Sequence, residues 1–146
     1  MIINAILIEK ARIAKVMFAM RHLDKIVKNE DGSTKKVPHF KTQSHIANTM
    51  NLTFQQIQKY EKAQNGISAD KLFALCRKEG YDIAKFFAGK PEDLLEEINH
   101  TKHEMIQRKW KEIDLNILEE QKLQNRYAPM LPKLEREMAY QDTFKS

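Results

Sequence analysis

The stretch TQSHIANTMNLTFQQIQKYEK, residues 42–62, gathers Gln43, Gln55, Gln56 and Gln58 with Phe54, Lys59 and Lys62. A glutamine amide holds a donor and an acceptor side by side and can bond adenine N6 and N7 together. A lysine ammonium can donate to guanine O6 or N7, and an aromatic ring can pack on a thymine methyl. This is the chemistry of recognition, in which no covalent bond changes.

Bond-making chemistry has no comparable cluster. The chain has no glycine loop to cradle phosphate, no nucleophile elbow and no histidine spaced to pair with a carboxylate, so an enzyme is not expected. His100 and His103 stand three apart, but a structural zinc wants four ligands, and neither a Cys-x-x-Cys nor a second histidine pair is present. No metal and no cofactor are expected. Cys76, in LFALC, reads as a small buried apolar residue, and His22 and His45 read as surface positions flanking the core stripe.

The elements that would position the recognition residues follow from periodicity and capping. Ile13, Val16, Met17, Met20, Leu23 and Val27 recur at three and four, predicting a first helix from Ile8 to Val27. Residues 28–41 then break the pattern, as a long polar loop or a small hairpin turning at Asp31-Gly32. Thr42 is placed to cap a second helix with Ile46, Ala47 and Met50 inside, and Asn51 sits where the chain must turn. Thr53 and Gln56 have the Thr-x-x-Gln spacing of a capping box, opening a third helix that runs to about Lys62 and stops near Asn65-Gly66. Ser68 opens a fourth helix, which buries Leu72, Leu75 and Cys76 and is ended by Gly80. A short fifth, with Ile83, Phe86 and Phe87, closes the core.

Four glycines and four prolines among 146 residues agree with an all-α chain. The net charge of +5 is unevenly spread. Residues 1–41 carry 9 Lys and Arg against 4 Asp and Glu, residues 42–90 carry 7 against 4, and residues 91–146 carry 9 against 12. A positive first ninety residues suits a polyanionic partner. The lone cysteine, the short apolar start and the lack of any ~20-residue apolar run lead us to expect a cytoplasmic protein.

Two short helices with a tight connection can brace one across the sugar-phosphate backbone and lay the other in the major groove. With Thr-Gln, then Ile-Ala, a turn, a capped helix carrying Ile and Tyr-Glu, and a serine before a leucine-bearing helix, residues 10–89 resemble the helix-turn-helix domains of the phage repressor and Cro type, the XRE family. The resemblance implies a five-helix repressor-like domain over 1–90, with its helix-turn-helix at 42–62, that binds double-stranded DNA on the nucleoid as a transcriptional repressor. Gln43 and Ser44 fall among the DNA-facing positions it implies, Gln43 as a phosphate contact. It further implies that Thr53, Phe54, Gln55, Gln56 and Lys59 face the groove, that Gln58, Lys62 and Asn65 lie on the rim, and that Arg21 pairs with Glu61. The loop at 28–41 is longer than the family's usual connection, and Asn51 replaces its common glycine.

Beyond residue 90, Pro91 and the acidic residues after it suit a helix N-terminus. Leu94, Ile98, Met105, Ile106, Trp110, Ile113 and Ile117 give this helix one apolar side, and a last amphipathic piece would carry Leu134, Met138 and Phe144. Since one helix-turn-helix unit covers little DNA, a homodimer is expected, with Ile106, Trp110, Ile113 and Ile117 as its dimerisation stripe. The alternatives are that the stripe folds back on residues 1–90, or that the 91–146 extension holds a protein partner, as in an antitoxin.

Overall fold

The computed structural model describes residues 2–87 and 89–127. Chain order is α1 (Ala5–Met20), β1 (Asp24–Lys28), β2 (Thr34–Pro38), α2 (Gln43–Met50), α3 (Phe54–Glu61), α4 (Ala69–Glu79), α5 (Ala84–Phe87), two 3-10 segments (Pro91–Glu97 and His100–Lys102) and α6 (His103–Tyr127). The architecture is mostly helical with one two-stranded antiparallel sheet, so it is not purely α.

Helix α1 lies at the centre. Asn4 caps it by accepting the Ile6 amide at 2.8 Å. Its buried residues run from Leu7 through Ala11 and Ala14 to an unbroken series from Val16 to Met20. A helix whose second half is buried nearly all round must be covered on several sides, and α3, α5, α6 and the Pro91–Glu97 segment supply that cover. Helix α1 ends at Met20, seven residues before the Val27 predicted from its apolar spacing. The chain turns because Leu23 pairs with Ile98 and the next five residues pair with β2, Asp24 opposite Pro38 through Lys28 opposite Thr34. Ile26 and Val27 are β-branched and suit a strand as well as a helix. Gly32, with φ +86°, makes the turn between the strands, which places the hairpin where Asp31-Gly32 predicted it.

Helix α6 runs antiparallel to α1. The Asn4 amide donates to Gln121 Oε1 at 2.6 Å, Lys10 pairs with Glu120 at 2.9 Å, and Lys15 pairs with Asp114 at 2.8 Å. The Trp110 indole donates to the Lys15 carbonyl at 3.0 Å. Ile106, Trp110, Ile113 and Ile117 are therefore buried within their own chain, at 0–5% exposure. This corrects the dimerisation stripe: its apolar surface is already covered, and the core is continuous across residue 90.

Three further expectations are corrected. No single helix starts at Pro91, because Ile98 adopts an extended backbone to pair with Leu23, and α6 begins only at His103. Phe87 is exposed while Phe86 alone of the pair is fully buried. His22 is buried between Phe18 and Phe40, with ring centroids 4.9 and 4.8 Å away, rather than standing at the surface. The predicted amphipathic piece with Leu134, Met138 and Phe144 lies outside the described residues.

Candidate nucleic-acid interface

The α2–α3 pair is built by local chemistry. Thr42 Oγ1 accepts the His45 amide at 3.0 Å and starts α2. Asn51 ends it in the left-handed conformation, φ 54° and ψ 43°, which asparagine tolerates better than most residues with a side chain. Thr53 Oγ1 then accepts the Gln56 amide at 3.2 Å, while Gln56 Oε1 accepts the Thr53 amide at 2.9 Å, completing the capping box that opens α3. Helix α3 stops at Glu61, and Ala63 turns left-handed at φ 57°, two residues before the predicted Asn65-Gly66 stop.

Helix α3 has two distinct flanks. Ile57, Tyr60 and Glu61 are buried, at 1%, 7% and 1% exposure. Thr53, Phe54, Gln55 and Lys59 are exposed, Gln58 and Lys62 are half-buried, and Asn65 is exposed just beyond the helix. Phe54 thus stands clear of the core although it is a large ring. Lys59 and Lys62 make no ion pair among the described residues, so both ammonium groups are available to an anion. The flank offers apolar, amide and cationic contacts within two turns of helix, a combination suited to base edges and phosphates together.

A charged hub under this flank holds α3 in place. Arg21 Nε and Nη2 donate to Glu61 Oε2 and Oε1, each at 2.7 Å, with both side chains buried. Gln43 Nε2 donates to Glu61 Oε1 at 2.9 Å, so the first residue of α2 and the last of α3 share one carboxylate. Arg21 Nη1 also donates to the Lys41 carbonyl at 3.1 Å, and its guanidinium lies over the rings of Phe18 and Phe40. From the far side, Asn116 Nδ2 of α6 donates to the Lys62 carbonyl at 2.9 Å.

Helix α2 is anchored separately. The Glu79 carboxylate binds Lys41 Nζ at 2.7 Å and His45 Nε2 at 3.0 Å. Burial raises the Glu79 pKa, but hydrogen bonds from Lys41, Thr49 and His45 outweigh burial and hold it below the usual carboxylate range. His22 is pushed down to about 4, first by burial and then by the charges of Arg21 and Lys102.

The structure thus gathers Gln43, Ser44, Thr53, Phe54, Gln55, Gln58, Lys59, Lys62 and Asn65 on or beside the two helices, with Ser44 exposed in the first turn of α2. Gln56 departs from the reading given it. Its Oε1 is committed to Thr53, so it cannot offer a free donor-acceptor pair, and its role is to start the helix. No local spacing reports the ties from Gln43 and Asn116, which bridge 18 and 54 residues. The Thr53-x-x-Gln56 spacing was the available signal against Gln56 as a base reader.

A curated protein of Rickettsia conorii (strain ATCC VR-613 / Malish 7), named an uncharacterized HTH-type transcriptional regulator, is 34% identical to this chain over 65 residues. The match covers 44% of this chain and 52% of that protein, so the chain spans about half the length of the relative it matches. No family model and no solved structure matches the chain.

Proposed function

We propose that the chain is a helix-turn-helix transcriptional regulator that binds double-stranded DNA, with α3 in the major groove. The observation that carries this reading is the division of α3 into a flank locked by Ile57, Tyr60 and Glu61 and an exposed flank of Phe54, Gln55 and Lys59. The similarity to a protein named as an HTH-type regulator supports the same reading. Gln43 and Ser44 at the start of α2, with Gln58, Lys62 and Asn65, position the protein on phosphates, while Gln55, Lys59 and Phe54 read base edges.

In the finer reading the protein is a phage repressor-like regulator of the XRE type, and two copies occupy an inverted pair of half-sites and block transcription. Half-sites about 34 Å apart fit two recognition helices on one side of a duplex. The two copies meet through a surface other than the buried side of α6. A protein partner on α6 is favoured by one observation, the 61% and 52% exposure of Leu115 and Leu123 on its outer side.

Selection of bound sequences from a random duplex pool tests the reading. The proposal predicts a palindromic consensus and retardation of plasmid in a gel without cutting in the presence of Mg²⁺. Enrichment without a consensus counts against it.

A further inference from the structure

Between α1 and α2 the chain runs out and back through the β1–β2 hairpin, Asp24–Pro38, which supplies none of the bonds that hold α3. Both ends of this excursion sit on the hub that fixes α3. The Lys41 amide donates to the Arg21 carbonyl at 3.0 Å, and Arg21 in turn grips Glu61. Two residues after Lys41 comes Gln43, the proposed phosphate contact. The β1–β2 hairpin is therefore rooted beside the end of α2 that meets the DNA backbone, and it has a fixed foundation there.

The two faces of the hairpin differ. In an antiparallel pair, residues directly opposite each other share a face. Ile26 with Lys36, and Lys28 with Thr34, make one face, on which Ile26 is 66% exposed and Lys36 Nζ is engaged, donating to the Glu96 carbonyl at 2.9 Å. Lys25 with Val37, and Val27 with Lys35, make the other. Lys25 and Lys35 are exposed and make no ion pair among the described residues. Of the hairpin's acidic residues, Asp24 lies at the base of β1 on the Ile26 face, and Glu30 and Asp31 are at the tip, where Asp31 Oδ1 accepts the Ser33 amide at 2.9 Å and so braces the turn.

We propose that this hairpin is a second DNA-binding element, in which Lys25 and Lys35 contact backbone phosphates of the duplex flanking the half-site read by α3. The proposal rests on the DNA-binding reading above. Five-residue strands reach roughly 17 Å at about 3.3 Å per residue, enough to follow the backbone past the half-site, where a duplex offers one charge per ~1.7 Å of axis. The contact is made by the strand face and not by the tip, whose carboxylates phosphate would repel. Contacts of this kind add affinity and register without sequence preference.

The test uses the full chain and duplexes carrying the selected consensus with random flanks. Lys25→Gln with Lys35→Gln keeps an unbranched polar side chain and removes both charges. Lys28→Gln, on the opposite face, is the control, and thermal melts check that both proteins fold. The pair should lower the slope of log K against log salt by about two, at roughly 0.9 per phosphate contact, and weaken binding on the order of tenfold at moderate salt. Protection should be lost at the outer edges of the footprint while the consensus stays the same. If wild-type protein binds selectively but the pair leaves slope and footprint unchanged, or Lys28→Gln has the same effect as the pair, the hairpin proposal is overturned and the recognition-helix reading stands. If wild-type protein binds duplex without selectivity, both fall.

Discussion

Arg21 and Glu61 meet through two hydrogen bonds of 2.7 Å each, with their side chains only 6% and 1% exposed, and this buried pair joins the end of α1 to the end of α3. Removing one member leaves the other charge buried and uncompensated. Arg21→Ala is predicted to cost about 3–5 kcal/mol in urea unfolding. Arg21→Ala combined with Glu61→Gln should recover part of that loss, because no naked carboxylate remains. A loss under ~1 kcal/mol for Arg21→Ala would show that the pair does not hold α3.

The capping box separates two glutamines that are neighbours in sequence. Gln56 serves the helix start and Gln55 is exposed. Thr53→Ala is predicted to lower stability by about 1 kcal/mol, as loss of an N-cap typically does. Gln56→Ala should act in the same direction in thermal melts and leave base preference intact. A changed preference with unchanged stability would return Gln56 to the reading surface.

His22 supplies a pH dependence. Both its ring nitrogens are buried without a hydrogen-bond partner among the described residues, and its pKa is held at about 4. The folded value lies below the unfolded one of about 6.5, so the folded state prefers the neutral ring. Its contribution is whole above pH 6.5 and is lost as pH falls toward 4. Linkage gives a loss of about 2 kcal/mol between pH 7.5 and 5. His22→Leu should flatten the stability profile over that window relative to wild type, and parallel profiles would contradict the assignment.

Trp110 distinguishes a core position from an interface position. It is 5% exposed and donates to the Lys15 carbonyl, so it packs within its own chain. Trp110→Ala is predicted to cost about 3–5 kcal/mol, as large-to-small core changes do. The loss should be independent of protein concentration. A melting temperature that recovers as concentration rises would place Trp110 between two copies.

What could be read from sequence was what local chemistry decides. Thr42, Asn51, Thr53 with Gln56, and Gly80 each act on backbone groups within a few residues, and each appears where its type and spacing put it. The end of α1 and the break at Ile98 were not legible, because each is set by the other across 75 positions through the Leu23–Ile98 pairing. The apolar stripe of α6 was legible as something to be covered, but not what covers it. A 3.6-residue period reports that one side of a helix is apolar; α1 as the cover depends on the path of the intervening chain. The burial of His22 is hidden from sequence for a related reason, since the ring that covers it is Phe40, beyond β2 on the returning chain.

The central claim is that the exposed flank of α3 reads DNA sequence. Its most direct test is to repeat the selection from random duplexes with Gln55→Ala, Lys59→Ala and Lys62→Ala. We predict that Gln55→Ala and Lys59→Ala each relax preference at particular half-site positions, by about 1–3 kcal/mol of discrimination. Lys62→Ala should weaken all sequences about equally and lower the salt slope by roughly one. A consensus that stays the same in all three variants, at undiminished strength, would contradict the claim.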